Sequence, residues 1–235
     1  MIKPKTDCLI CPSRDLSVFQ TLEPELLDRV NQTRTSNLYK KGQIIFYEGN
    51  PAFGMFCIRT GKVKLYKSTS EGKRLIVRLS GPGDQLGYLA MFGNQPYSAT
   101  AEVIEDAIIC FIDRSILFPL LSKSNVLTLN YVKTVAKELF LIQSRATDIA
   151  LGSVRERMAS LLLLLKEKYG KKTRDRILLD IPLSRTDLAE MAGTTKETAI
   201  RVLSDFRHEK LVDDQGENIV LLQPLRLAAI AGFTD

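Results

Sequence analysis

The sequence predicts an α+β fold in which an antiparallel β-roll or barrel comes first, a long helix second and a pair of short helices third. Short segments rich in β-branched and aromatic residues, separated by glycine-containing turns, fill much of the first half of the chain. An apolar seam at helical spacing follows over about seven turns. The stretch from Pro182 to Leu203 then has the pattern of two helices joined by a tight turn.

Composition allows one large domain or two modest ones in 235 residues. The net charge of +6 suits an anionic partner only mildly. From Arg155 to the end, 14 lysines and arginines stand against 13 acidic residues, so the basic excess lies upstream. Specific side chains, rather than bulk charge, must therefore carry any binding of an anion by the C-terminal part.

Nothing in the chain predicts export or membrane insertion. The N-terminal residues lack the apolar run of a signal peptide. Apolar runs such as Ala107 to Ile112 are far too short to span a bilayer, so we expect a cytoplasmic protein without a membrane partner. In a reducing compartment, the four cysteines are expected as thiols or metal ligands rather than disulfides.

Five short segments of strand character predict the antiparallel sheet. Turn signals such as Thr60-Gly61 separate them. The five segments are Gln43 to Tyr47, Met55 to Arg59, Lys62 to Tyr66, Arg74 to Leu79 and Ala107 to Ile112. A short helical region is expected before them, from Leu16 to Val30.

From about Asn125 the pattern becomes helical. The seam, apolar except for Gln143, consists of residues three and four apart, namely Leu129, Val132, Ala136, Leu139, Gln143, Ala146 and Ala150. A single helix of this length with so thin an apolar face is under-buried in a monomer, so we expect residues 125–152 to form a dimer helix. Packing of this helix along the β domain is the alternative. Gly152-Ser153 interrupts the pattern and is a candidate hinge.

Caps delimit the two short helices. Ser184 is a good N-cap for the first, and Gly193 ends it because glycine readily adopts the left-handed conformation. The second helix packs inward through residues at helical spacing, namely Ala199, Val202, Leu203 and Phe206. The outward side of the first turns, where a helix–turn–helix carries its base-reading side chains, is left with Lys196, Glu197, Ile200 and Arg201. An ordinary surface ion pair between Glu197 and Arg201 is the competing interpretation.

Flanking elements complete a winged domain. Val154 to Tyr169 is predicted as a helix, Lys171 to Arg176 as a basic loop, and Ile177 to Ile181 as a strand. The segment from Leu211 to Leu222 predicts a β-hairpin, and Pro224 to Gly232 a last short helix.

In this order and length, the parts resemble the Crp/Fnr family of bacterial transcription regulators. The segment from Thr194 to Arg201 matches the core of the family's recognition helix, and residues 83–87 match its barrel. The resemblance implies a cyclic-nucleotide-binding-like sensor domain over residues 1–124, a dimerisation helix over 125–152 and a winged helix–turn–helix over 153–235. It also implies a homodimer that binds palindromic promoter DNA and contacts RNA polymerase.

Carried over to these positions, the resemblance implies a set of DNA contacts. Arg201 would donate to a guanine and Glu197 would accept from a cytosine amino group, each contributing about 1–3 kcal/mol of discrimination. Lys196 replaces an arginine that reads a base in the cAMP-responsive relatives. Half-sites containing a GA step, ~34 Å apart, are expected. At the wing, Glu217 stands where some relatives carry a basic residue, so one phosphate contact is expected to be missing. The remaining phosphate contacts fall to Arg185, Thr195 and Thr198.

The effector position of the β domain departs from the cyclic-nucleotide relatives. Those relatives hold phosphate and ribose with an arginine and a glutamate. At these positions this chain has Gly87, Tyr88, Tyr97 and Ser98. A buried anion without its cation is costly, so cAMP is not expected as the ligand. Tyr88 and Tyr97 are expected to fill the emptied pocket, and lining a site for another ligand is the alternative.

Cysteine spacing resembles that of the oxygen-sensing branch of the family, which holds an iron–sulfur cluster. Cys8 and Cys11 form a C-x-x-C pair, and Cys110 falls near the β-domain ligand of that branch. Ser17 replaces the next cysteine of the pattern, and Cys57, the remaining thiol, does not stand at a ligand position of the family. The four cysteines are the candidate cluster ligands. The alternative is that Cys57 and Cys110 are ordinary buried side chains.

No catalytic constellation accompanies these motifs. The one histidine, His208, is remote from the cysteines in sequence, so a nucleophile–base set is lacking and we do not expect an enzyme. Haem is disfavoured because His208 lies in the DNA-binding part and haem would need other ligands. We expect a DNA-binding regulator that senses redox state, oxygen or nitric oxide. The alternatives are a regulator that responds to another small ligand in the β domain, and a ligand-binding module without DNA activity.

Overall fold

The computed structural model describes residues 7–173, 176–216 and 218–232. The chain divides into two compact units, one ending at Phe140 and the other beginning at Leu141. Among the described residues, none of the helices combines the length and the apolar character that crossing a membrane requires. Glu217, with its predicted loss of a phosphate contact, lies outside the described residues, as does part of the predicted basic loop.

In the first unit, the described residues form an antiparallel sheet of β1 (Thr35–Tyr39), β2 (Ile44–Phe46), β3 (Gly54–Ser68), β4 (Arg74–Ser80), β5 (Gln85–Leu86) and β6 (Thr100–Asp113). The order is β1-β6-β3-β4, with β2 paired to β6 and β5 to β3. The two long strands, β3 and β6, make up its centre, and one core cluster includes Val63, Ala101, Val103 and Ile109 from them. This is the antiparallel β-roll that the short apolar segments predict.

Strand β3 runs unbroken through Thr60-Gly61, where we predicted a turn, so that prediction was wrong. The pairing of β3 with β6 shifts register on both sides of Thr60. Gly61 has a φ of 83°, and an added Cβ would lie 2.5 Å from the Asp106 carbonyl oxygen. Gly61 therefore lies at a bulge within a long strand. Glycine is typical of both bulges and turns, so the sequence alone does not distinguish the two.

Helices of the first unit are α1 (Pro24–Thr33), α2 (Tyr88–Phe92), α3 (Arg114–Lys123) and the first part of α4 (Asn125–Leu151). The helix expected from Leu16 to Val30 begins later, because Pro24 suits the first turn of a helix, and a short 3-10 helix (Arg14–Leu16) precedes it. A second core cluster joins these helices to β3 and β6. It includes Leu27, Val30, Met55, Ile112, Leu117, Leu120, Leu127 and Tyr131.

The second unit contains α5 (Val154–Tyr169), α6 (Arg185–Ala192), α7 (Lys196–His208) and α8 (Pro224–Ile230). Its antiparallel sheet has the order β7-β8-β10-β9, formed by β7 (Gly170–Thr173), β8 (Arg176–Leu179), β9 (Val212–Gln215) and β10 (Asn218–Leu221). Lys171 and Lys172, expected in a loop, lie in β7, because pairing with β8 overrides their weak strand propensity.

Capping residues set the break between α4 and α5. Ser153 forms a capping box with Glu156, in which the Glu156 amide donates to Ser153 Oγ at 3.3 Å. The Ser153 amide donates in return to Glu156 Oε2 at 2.6 Å. The interruption predicted at Gly152-Ser153 is thus a true helix boundary.

Candidate nucleic-acid interface and thiol site

Helices α6 and α7 form the helix–turn–helix, and capping residues fix the start of α6 and both sides of the turn. Ser184 caps α6 in a capping box with Asp187, whose carboxylate also accepts from the Ser184 hydroxyl at 2.6 Å. Gly193 ends α6 in the left-handed conformation, with φ 63° and ψ 47°. Thr195 caps α7 by accepting from the Thr198 amide at 3.2 Å. The turn is therefore fixed at both ends by local hydrogen bonds.

The inward face of α7 is apolar and buried, through Ala199, Val202, Leu203 and Phe206. Lys196, Glu197 and Arg201 are exposed on the outward face. Within the described part of the chain, none of these three side chains makes a hydrogen bond or an ion pair. Their polar groups are available to a partner, and the positive end of the helix dipole lies at the same terminus.

Arg185 is held differently from the other predicted DNA contacts. Its Nη2 donates to Asp214 Oδ1 at 2.7 Å, and Arg207 Nε lies 3.1 Å from Asp214 Oδ2. Asp214 belongs to β9, so its carboxylate ties the wing to α6 and α7. The structure thus places Arg185 in an ion-pair network at the start of α6. It gathers the other predicted DNA contacts at the start of α7, namely Thr195, Lys196, Glu197, Thr198 and Arg201.

In the first unit, all four cysteines line one small cavity of about 50 Å³. Cys57 in β3 and Cys110 in β6 are directly opposed in the sheet, a relation that places Cβ atoms about 4.5–5.5 Å apart. Cys8 and Cys11 reach the cavity from the N-terminal segment. Ser17, which stands where the family pattern has a cysteine, lines it as well. We call these four cysteines the thiol site.

A polar network connects the two halves of the thiol site. Arg34 Nε donates to Cys8 Sγ at 2.9 Å, and its Nη1 donates to Ser36 Oγ at 2.6 Å. Ser36 Oγ lies 3.2 Å from Cys110 Sγ. Sequence reasoning missed Arg34 and Ser36. No local signal marks them, because Ser36 becomes a neighbour of Cys110 only through the pairing of β1 with β6, and Arg34 lies 26 residues from Cys8 in the chain.

Burial affects the protonation of the thiols. It raises the pKa of Cys8, and the Arg34 guanidinium acts in the opposite direction through its hydrogen bond and its charge. Burial raises the pKa of Cys57 well above its ordinary value, and the neighbouring Cys110 raises it further. Both thiols therefore keep their protons at neutral pH unless a metal displaces them.

The donor set of the thiol site suits soft metals. Besides the four sulfurs, the cavity is lined by serine hydroxyls, apolar groups and three arginines, and by no carboxylate or imidazole among the described residues. Thiolates select zinc, copper(I) or iron–sulfur clusters over magnesium or calcium. Within the described ranges, no three potential metal-binding side chains are grouped tightly enough to hold one metal ion. Four cysteine sulfurs are the donor set of a typical iron–sulfur cluster, so the type and number of the cavity's donors would suit such a group.

Tyr97 fills space at the predicted effector position. Its buried ring stacks on Phe46, with the centroids 4.0 Å apart, and its hydroxyl donates to the Gly54 carbonyl at 2.9 Å. An added Cβ on Gly87 would lie 2.5 Å from the Tyr97 ring. Burial raises the pKa of Tyr97 to about 12. The ring is therefore an anchored part of the core.

Tyr88 and Ser98 lie in different surroundings. Tyr88 is buried in the second core cluster, where its ring centroid lies 5.8 Å from that of Tyr131. Burial is the main cause of its raised pKa, and the ion-paired side chains of Arg78 and Glu138 lie beside it. Ser98 is exposed. The four predicted effector residues therefore do not line one common pocket. Tyr88 and Tyr97 lie in separate core clusters, Gly87 packs against the Tyr97 ring, and Ser98 lies at the surface.

A β-roll and a long helix, followed by a winged helix–turn–helix with exposed polar groups on its second helix, define a DNA-binding transcription regulator with a sensing domain. The family model described as a cyclic nucleotide-binding domain matches residues 37–124, and that of the Crp-like helix-turn-helix domain matches residues 156–230. The chain belongs to the Crp/Fnr family of transcription regulators.

Known relatives differ in the signal that their names state. The Anaerobic regulatory protein of Bacillus subtilis is 29% identical over 202 residues, which cover 85% of either chain. The CRP-like cAMP-activated global transcriptional regulator of Mycobacterium tuberculosis is 24% identical over 211 residues, 90% of this chain and 94% of the relative. The structure of FixK2 from Bradyrhizobium japonicum matches with a TM-score of 0.75 and 26% identity, over 84% of this chain and 97% of FixK2.

Proposed function

We propose that this regulator is a homodimer whose affinity for promoter DNA is set by redox state, oxygen or nitric oxide acting at the thiol site, rather than by cAMP. The observation that carries the proposal is the meeting of all four cysteines of the chain at one cavity. Cysteines that served only as core residues would be expected at separate places in the fold. Here they come together from two strands and a separate N-terminal segment.

An iron–sulfur cluster is the group that these donors would hold. Cys8 and Cys11 would bind it from the N-terminal segment, and Cys57 and Cys110 from the sheet. A bound cluster would supply iron that reacts with oxygen or nitric oxide. The residues of the chain itself would bind, orient and shield the group, since Ser13 Oγ lies 3.2 Å from Cys11 Sγ and Arg34 Nε lies 2.9 Å from Cys8 Sγ.

The state of the effector position argues against cAMP. Tyr97 is buried and tied to Gly54, and its ring packs against Gly87, where the relatives hold the nucleotide. Admission of a nucleotide would require displacement of this ring and its stacking on Phe46. The pocket also lacks the arginine that would neutralise the phosphate.

Strand β3 offers a short connection from the thiol site to the long helix. Met55 lies two residues before Cys57, on the same face of the strand. The Tyr131 hydroxyl of α4 donates to Met55 Sδ at 3.0 Å. A shift of Cys57 on gain or loss of a ligand would therefore reach α4 through directly contacting side chains.

The surface of α4 supports the dimer. Leu129, Val132 and Leu139 of the predicted seam are each more than 55% exposed, and Phe140 and Ile142 are exposed as well. An apolar stripe of this kind is stable in water when a second copy covers it. We assign residues 1–124 to sensing, 125–152 to dimerisation and 153–235 to DNA binding.

In the DNA-binding part, Glu197 and Arg201 read bases, and Lys196 lies beside them. The DNA phosphates are bound by the start of α7, with Thr195 and Thr198. Arg185 also binds a phosphate, after its ion pair with Asp214 is broken. The two recognition helices of the dimer bind a palindromic promoter site, where RNA polymerase is the further partner. Transcription from such a promoter by purified polymerase would tell activation from repression.

Anaerobic reconstitution with iron and sulfide tests the signal. We expect a coloured protein with visible absorption, stoichiometric iron and sulfide, and a DNA affinity that changes on exposure to air. A colourless protein without iron, whose affinity for DNA is the same in air and under nitrogen, would remove the proposal.

Variants sharpen this test. Cys57→Ala and Cys110→Ala should each abolish or strongly reduce iron uptake. Ser80→Ala, which changes a small buried residue of β4 that does not line the cavity, is the matched control and should load as the parent protein does. Normal loading of Cys57→Ala would exclude Cys57 as a ligand.

A further inference from the structure

We propose that Arg34 is the positioning residue of the thiol site. It holds the N-terminal and strand halves of the site together and places a positive charge against the sulfur ligands. The inference rests on the proposed function and extends it, because it names a residue that sets the properties of the site without being a ligand.

The contacts of Arg34 reach both halves of the site. Its Nε donates to Cys8 Sγ at 2.9 Å and its Nη1 donates to Ser36 Oγ at 2.6 Å, the hydroxyl that lies 3.2 Å from Cys110 Sγ. Its Nη2 donates to Asn31 Oδ1 at 2.8 Å. The same oxygen accepts from the Cys8 amide at 3.0 Å. One guanidinium therefore orients the Cys8 side chain directly and its backbone through Asn31.

The backbone places Arg34 between the two halves of the site. Arg34 is the residue that ends α1, and β1 begins at the next position. Ser36 lies opposite Cys110 in the pairing of β1 with β6, and Cys110 lies opposite Cys57 in the pairing of β6 with β3. Ser36, Cys110 and Cys57 thus form a row across three strands, and Arg34 connects this row to Cys8.

The charge of Arg34 has a predictable effect. Four thiolates would bring more negative charge to the site than the iron–sulfide core of a cluster neutralises, and reduction would add one more electron. A cation that donates a hydrogen bond to a ligand sulfur stabilises the more negative state and raises the reduction potential. Arg14 and Arg59 also line the cavity, so the cationic character of the site has more than one source.

The test uses the full-length protein with Arg34→Gln, which removes the charge, and Arg34→Lys, which keeps it. Arg29→Gln is the matched control, since it removes the same charge from an exposed position in α1. After anaerobic reconstitution, the midpoint potential and the rate of cluster loss in air are measured. Arg34→Gln should shift the potential to more negative values and lose its cluster faster. Arg29→Gln should match the parent protein, and Arg34→Lys should lie between.

A second measurement needs no cluster. In the metal-free protein at one fixed pH, the rate of alkylation of Cys8 by iodoacetamide is compared with that of Cys11 in the same chain. Loss of the Arg34 charge should slow the Cys8 reaction about two- to tenfold, because the thiolate loses its hydrogen-bonded cation. Mere loosening of the segment would expose Cys8 and speed the reaction.

The outcomes separate the two proposals. A parent protein that takes up no iron refutes the cluster, and the alkylation rates then decide the role of Arg34. Equal potentials in Arg34→Gln and the parent, or equal shifts in Arg34→Gln and Arg29→Gln, would overturn the role of Arg34 while leaving the cluster intact. Faster alkylation of Cys8 in Arg34→Gln would likewise show a purely structural contact.

Discussion

Replacement of Arg201 by alanine isolates the reading of one base pair. Arg201 is exposed, and within the described residues it has no hydrogen-bond or ion-pair partner to lose. Alanine is also a slightly better helix former, so the free energy of unfolding should change by less than about 0.5 kcal/mol. The whole effect should then appear in DNA binding. A contact to guanine contributes about 1–3 kcal/mol, which is about 5- to 150-fold per half-site and acts at both half-sites of a dimer.

The assay is selection of binding sites from random DNA, followed by fluorescence anisotropy with the selected operator and with single-base variants. Arg201→Ala should bind the parent operator more weakly and should accept other bases at one position in each half-site. Arg226→Ala, which removes the same charge from an exposed position in α8, is the control and should keep the parent consensus. The assignment fails if Arg201→Ala selects the same consensus, or if both variants lose affinity equally on all sequences.

Three further predictions follow from local geometry. Gly193→Ala should lower the free energy of unfolding by about 1–2 kcal/mol, measured by urea denaturation, because the turn requires a φ of 63°; an unchanged midpoint would contradict this. Burial raises the pKa of Tyr97 from 10.0 to about 12, so the stability that its neutral form contributes is fully present below pH 10 and is lost as the pH rises through 12. Tyr97→Phe should therefore flatten the fall in unfolding free energy over this range by up to about 3 kcal/mol, and identical pH profiles would refute the assignment. Gly83→Ala should impair iron uptake, because the added Cβ would lie 2.5 Å from Leu16 Cβ and displace the N-terminal segment. Gly72→Ala is its control, with a similar φ of 79° and nothing within 4 Å, and equal uptake by the two variants would count against this explanation.

Much of the DNA-binding part follows from the sequence because its signals are local. As the sequence predicts, Ser184 caps the start of α6 and Gly193 ends it, and Ser153 and Thr195 likewise cap α5 and α7. A cap acts on amides within three residues of itself, so its effect does not depend on the rest of the fold. The outward position of Arg201 follows in the same way from the apolar period of α7.

The β-roll was predictable as a class, and its details were not. Glycine at position 61 carries the same signal for a turn and for a bulge, and only the partner strand β6 decides between them. The predicted effector residues show the same limit. Tyr97 and Tyr88 are two residues of the same type near one predicted pocket, yet the fold places them in different core clusters.

The sequence by itself determined the family, the order of the elements and the outward face of the recognition helix. It also identified four cysteines as candidate cluster ligands, although Cys57 stands at no ligand position of the oxygen-sensing branch of the family. Only the tertiary structure places Cys57 opposite Cys110 and connects both, through Ser36 and Arg34, to Cys8. The physical reason is that a cap or a helical period acts over a few residues. The neighbours of a strand residue are set by a register between segments that lie far apart in the chain.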